Sequence, residues 1–195
     1  MKIYKRVEKY TALFKPEIDF LTNIVEIAPE GNVVVAGTYK GGDVMAMMLQ
    51  DPTREYNVID SFQGLADPEE EDIVHEVNNT DSTMIAGEFS CGGHESYLEN
   101  FKEAKIIAPN TYPMFITEKS IKEVKPNKIA VLWLDLDHYK PTKVCLKYFD
   151  QFLVSGAIIG CHDYDFVRCP GIKQACDDYS NKWVHGAGGI YYMEK

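Results

Sequence analysis

The chain has 195 residues, 45% of them hydrophobic, which allows one sizeable core and makes two domains tight. Twenty Lys and Arg against 30 Asp and Glu leave a net charge of −10, with no basic cluster to offset it. That field repels phosphate backbones and anionic lipid head groups, so neither nucleic acid nor a membrane surface is an expected partner.

A single domain over residues 1–195 is expected. The amino terminus, Met1 to Lys9, is charged and lacks the apolar core of a signal peptide. No window reaches the roughly 18 apolar residues of a membrane span. The expectation is a soluble cytoplasmic protein. The five cysteines follow no zinc-ligand spacing, and Cys145 and Cys161, in apolar runs, read as small core residues. Cys161, Cys169 and Cys176 are left out of the chemistry.

Ile18, Leu21, Ile24 and Val25 recur at helical spacing and predict a helix over about 15–28, with Pro16 in its first turn and Pro29-Glu30-Gly31 as its stop. Asn32 to Ala36 reads as a first buried strand, Gly37 to Gly42 as a tight turn, and Val44 to Leu49 as a helix opening. Further strands are expected at Tyr56–Asp60, Tyr112–Ile116, Lys128–Leu134 and Ala157–Ile159. Helical patterns fall at 94–105, 142–153 and 172–183. The chain ends in a strand within 188–195, paired with a short one near Val184. Alternating strand and helix predicts an α/β fold, a doubly wound and mostly parallel seven-stranded sheet with an antiparallel C-terminal edge. Residues 66–93, rich in acids and turn formers, form either a lid or a solvated helix flanked by loops.

Chemistry gathers where strands end. In open α/β sheets, ligands bind in the crevice beyond the carboxyl ends of the strands. Gly37-Thr38-Tyr39-Lys40-Gly41-Gly42 follows the first strand and could let a ligand approach the backbone, although alone it is equally an ordinary strand-to-helix turn. Asp60, ending the second strand, is a cap if taken singly. Together with the glycine turn it forms the pattern of nucleoside binding, with the acid on the ribose hydroxyls. Asp135 and Asp163 end strands one strand–helix–strand step apart, so both can reach one hard divalent cation. Asp137 and His138 compete for that role. His138 or His162 could also be a general base, histidine being the side chain whose ordinary pKa lies nearest neutrality. His75 and His185 read as surface residues without partners.

In order, Gly37-Thr38-Tyr39-Lys40-Gly41-Gly42, Ile59-Asp60-Ser61-Phe62-Gln63-Gly64-Leu65, Leu134-Asp135-Leu136-Asp137-His138-Tyr139 and His162-Asp163-Tyr164 resemble the macrocin O-methyltransferase family. The resemblance spans about Val33 to Tyr192. It implies a Rossmann-like class I methyltransferase using S-adenosylmethionine, the cofactor lying over Gly37, Thr38, Tyr39, Gly41 and Gly42 and contacting Asp60, Ser61 and Phe62. It implies magnesium or another divalent cation on Asp135, His162 and Asp163, and methyl transfer to a hydroxyl of a sugar or another polyhydroxylated small molecule. Asp135 and His138 are the expected catalytic residues.

Two positions depart from the family pattern. Val35 replaces an acid two residues before the first glycine, and His162 replaces the first of two paired acids, which makes the site less anionic and suits a softer ion. Both would also permit a catalytically degenerate binding protein. A nicotinamide enzyme is opposed by the absence of G-x-G-x-x-G. Folds of this type often pair through the N-terminal helix or the lid, so a homo-oligomer is an open expectation.

Overall fold

Three successive valines put β1 (Asn32–Ala36) at the centre of a sheet covered on both faces, where a continuous β-branched run belongs. The structure is a computed structural model and describes residues 2–74 and 83–195. Beside β1 stand β2 (Tyr56–Asp60), β3 (Asn110–Pro113), β4 (Ile129–Leu134) and β5 (Leu153–Cys161), and the sheet closes with β6 (Val184–His185) and β7 (Tyr191–Glu194). The order is β3-β2-β1-β4-β5-β7-β6. The first five strands are parallel, β7 runs antiparallel to β5, and β6 antiparallel to β7. This is the expected doubly wound sheet with its antiparallel edge.

Alternation along the strands divides the core in two. Val33, Val35, Val58, Val131 and Trp133 meet α2 (Lys15–Ile27), α3 (Gly42–Gln50) and α4 (His94–Ala104). Val34, Ala36, Ile59, Leu132, Leu134 and Ile159 meet α5 (Tyr139–Phe149) and α6 (Pro170–Tyr179). Each fully buried Leu, Ile or Phe contributes about 1.5–3 kcal/mol, so both layers hold the sheet firmly.

Several boundaries differ from expectation. Strand β3 is Asn110–Pro113 rather than Tyr112–Ile116, because β2 can pair with it only as far as Asp60, opposite Pro113. Strand β5 begins four residues early, with Gly156 at φ +77° in its edge portion. Helix α5 starts at Tyr139 and gives way to a 3-10 turn at Asp150–Phe152, and α6 stops at Tyr179. A short helix α1 (Lys2–Val7), too brief for a periodic signal, precedes α2.

In the 66–93 stretch the only helical piece among the described residues is a 3-10 turn, Glu70–Asp72. It is docked: buried Asp72 accepts from Tyr139 N–H at 2.7 Å, and nearby Leu65 N–H donates to Glu88 O and Gly87 N–H to Leu65 O. Residues 75–82 of that stretch, His75 included, lie outside the described residues. Among the described residues, no helix is long and apolar enough to cross a membrane.

Candidate active site

The sheet ladder itself assembles the site. One residue past the strands, Gly37 N–H donates to Ile59 O, Asp135 N–H to Ala36 O and His162 N–H to Leu134 O, each at 2.9 Å. The ends of β2, β1, β4 and β5 are thereby locked side by side. Just beyond them Tyr39, Phe62, Asp137 and Asp163 all adopt positive φ, between +51° and +61°. A non-glycine residue in that region costs on the order of 1–3 kcal/mol, and such strain clusters at functional sites. Gly37, at φ +79°, has no alternative: a Cβ there would stand 1.8 Å from Asp135 O.

These ends open into a cleft of about 730 Å³, within the usual range for small-molecule sites. On one side Asp60 accepts Thr38 N–H at 2.9 Å and Phe62 N–H at 2.7 Å. Burial raises its pKa, against these backbone hydrogen bonds. Gly37, Thr38, Tyr39 and Ser61 line the same wall. Phe62 does not: its ring turns into the core, stacked on His94 at 4.9 Å. Gly41 packs against Phe101 and Gly42 against Tyr10, so both shape the turn from below.

On the other side stand Asp135, His162 and Asp163, whose ligating atoms lie within 4.8 Å of one another. His162 Nδ1 is 3.4 Å from Asp135 Oδ1 and 3.0 Å from Asp163 Oδ2 but forms no directed hydrogen bond among the described residues, while Nε2 is 3.1 Å from Glu17 Oε1. Burial alone would lower the imidazole pKa; Asp135, Asp163 and Glu17 together raise it far above its ordinary value. Asp137 is buried against Cys169, whose Sγ lies 3.6 Å from its Oδ1, and burial, then the charges of Asp135 and Asp163, raise its carboxyl strongly. His138 lines the cleft with Nε2 buried and without a hydrogen-bond partner among the described residues.

A profile of the macrocin-O-methyltransferase (TylF) family matches residues 17–185. The chain belongs to that family. Membership makes it an S-adenosylmethionine-dependent O-methyltransferase with the class I fold. Among solved structures it is similar to the O-methyltransferase NovP, at 21% identity over 95% of this chain and 82% of that one, with a TM-score of 0.78. Similar too are the calicheamicin methyltransferase CalS11, at 19% identity, 91% and 77% coverage and a TM-score of 0.68, and an O-methyltransferase from Bacillus cereus in complex with SAH, at 12%, 100% and 91%, and 0.60. At such identities these structures speak for the fold alone. A search among curated proteins finds no sequence match.

Two acids of this macrocin-O-methyltransferase family member escaped sequence reasoning. Asp43, in the first turn of α3, accepts Thr38 Oγ1–H at 2.6 Å and Trp133 Nε1–H at 3.2 Å. Burial pushes its carboxyl up to about 7. Glu17 is buried in the first turn of α2. The signal for both was an acid on an apolar helical stripe: Glu17 with Leu21 and Ile24, Asp43 with Ala46 and Met47. His185 is exposed, as its sequence position indicates, but partnered, its Nε2 lying 3.0 Å from Gly188 O. All five cysteines are free, and Cys145 and Cys161 are buried.

Proposed function

We propose that this enzyme performs metal-assisted methyl transfer from S-adenosylmethionine to a hydroxyl of a sugar or another polyhydroxylated small molecule. The observation that carries the reading is the opposition, across one cleft, of Asp60 and the Asp135, His162, Asp163 group. Asp60 suits the ribose hydroxyls of the cofactor, whose nucleoside would lie along Gly37 to Tyr39 and beside Ser61. A related structure is described as a TDP-rhamnose 3'-O-methyltransferase, which supports a sugar acceptor here.

The donors fit a divalent cation. Two carboxylates and a buried imidazole nitrogen with no directed hydrogen bond among the described residues lie within 4.8 Å of one another. When bound there, such an ion orients the acceptor hydroxyl and makes it more acidic. Asp135 and His138 both line the cleft and would receive the hydroxyl proton. S-adenosylmethionine, held along Gly37 to Tyr39 and by Asp60, would supply the methyl group, its sulfonium becoming a neutral thioether as the acceptor oxygen gains the methyl. The cleft walls contribute chiefly by holding nucleophile, methyl and sulfur in line.

The test begins with calorimetric titration of S-adenosylmethionine and S-adenosylhomocysteine, with and without magnesium, into cofactor-free protein. Micromolar binding, followed by methylation of at least one nucleotide sugar or polyol, is expected. Absence of binding in every condition would point instead to the degenerate binding protein.

A further inference from the structure

Glu17 shares the buried stripe of α2 and is only 3% exposed. A carboxylate is buried without heavy cost only when several donors satisfy it. Glu17 has three: Phe14 N–H at 2.7 Å on Oε2, and Gly189 N–H at 3.0 Å and His162 Nε2 at 3.1 Å on Oε1. The turn between β6 and β7 is shaped around this pair. A Cβ on Gly188 would stand 2.2 Å from Glu17 Oε1, and one on Gly189 would stand 3.2 Å from His162 Nε2. Trp133 presents its ring to the same imidazole, centroids 6.2 Å apart. Three separated pieces of chain therefore fix one histidine ring. Its other nitrogen, Nδ1, is buried, has no directed hydrogen bond among the described residues, and lies 3.4 Å from Asp135 Oδ1 and 3.0 Å from Asp163 Oδ2.

We propose that Glu17 is a positioning residue for a cation site: it holds the Nε2–H of His162 and so presents Nδ1, with Asp135 and Asp163, to a divalent ion that is borderline rather than hard. The proposal rests on the metal-assisted reading above and specifies its ion. A ligating histidine characteristically donates its second ring N–H to a carboxylate, which sets the tautomer and raises ligand basicity. An imidazole in place of a third oxygen ligand shifts preference from Mg²⁺ toward Co²⁺ or Zn²⁺, because Mg²⁺ favours oxygen and sheds water reluctantly. On binding, the ion takes the place of the Nδ1 proton, which passes to solvent.

Co²⁺ and Mg²⁺ serve as probes, each titrated calorimetrically into the wild type, Glu17→Gln and His162→Asp, with proton NMR of the Co²⁺ forms. The wild type is expected to bind Co²⁺ at least about tenfold more tightly than Mg²⁺ and to show a paramagnetically shifted, solvent-exchangeable proton from His162 Nε2–H. Glu17→Gln is expected to lose Co²⁺ affinity by about 10- to 100-fold. His162→Asp is expected to abolish the resonance and restore preference for Mg²⁺. Equal or tighter Mg²⁺ binding by the wild type, an absent resonance, or unchanged Co²⁺ affinity in Glu17→Gln would overturn the proposal. If Glu17→Gln fails to fold, His162→Asp decides: a retained Co²⁺ preference overturns the assignment. S-adenosylhomocysteine is titrated into the same wild-type protein. Its binding without Co²⁺ preference leaves methyl transfer standing and removes this proposal; Co²⁺ preference without its binding does the reverse.

Discussion

The hydroxyl of Thr38 donates to Asp43 Oδ1 at 2.6 Å, and that contact joins two acids that line the cleft, since the N–H of the same residue donates to Asp60 Oδ2 at 2.9 Å. Asp43 sits beneath the glycine turn, held also by Trp133 from β4. A single threonine thus couples the helix start, the turn and the end of β2.

Asp43 makes stability depend on pH. Its carboxyl rises from the ordinary 3.8 to about 7 in the fold, chiefly through burial. The folded state therefore binds more protons than the unfolded one between those values, and stability falls as pH rises through that window, by on the order of a few kcal/mol. Asp43→Asn is expected to flatten this fall. Thermal melts of both proteins between pH 4 and pH 8 check it; identical slopes would show that Asp43 ionises normally.

Asp60→Ala removes the acceptor of two backbone N–H groups as well as the proposed ribose ligand. Hydrogen bonds to a charged group are worth about 1.5–3 kcal/mol, so S-adenosylhomocysteine affinity is expected to fall roughly 10- to 100-fold, with a lowered melting temperature. Calorimetry on the folded variant measures the first effect. An unchanged Kd would move the nucleoside elsewhere.

Asp135→Ala is expected to separate turnover from cofactor binding. Loss of the proposed carboxylate ligand to the cation would remove several kcal/mol of transition-state stabilisation, on the order of a thousandfold in kcat, while S-adenosylhomocysteine is expected to bind nearly as before. Parallel single-turnover and binding measurements check this. Equal loss in both would place Asp135 with the cofactor rather than with the reacting hydroxyl.

Gly37→Ala tests the junction of β1 and β4. The added Cβ meets Asp135 O at 1.8 Å on a backbone already at φ +79°, so a loss of roughly 3 kcal/mol or more is expected. Denaturant unfolding gives the value. A loss below about 1 kcal/mol would mean that the strand ends can part easily.

Much of this architecture was legible because buried parallel strands have a local signature. Val33 to Ala36 and Ala130 to Leu134 are unbroken apolar runs, and each is followed at once by a glycine or acid that lines the cleft. Weakly patterned elements were harder to bound. Strand β3 has no buried residue, and α1 spans only six. The placement of Asp60, Asp135 and Asp163 followed from strand order, whereas Phe62 turned inward because its left-handed backbone directs the ring onto His94 and Tyr97.

The sequence by itself determined the alternation of strand and helix, the sheet with its antiparallel edge, the family, and the strand ends that carry the acids. Those properties reside in periodicity and in short motifs, and both are local. Only the tertiary structure decided that Glu17, at the start of α2, meets His162, at the end of β5, and that Asp43 meets Trp133. Such pairings arise where helices dock on a sheet and buried charges must find distant donors, and no local pattern records which donor lies across the core.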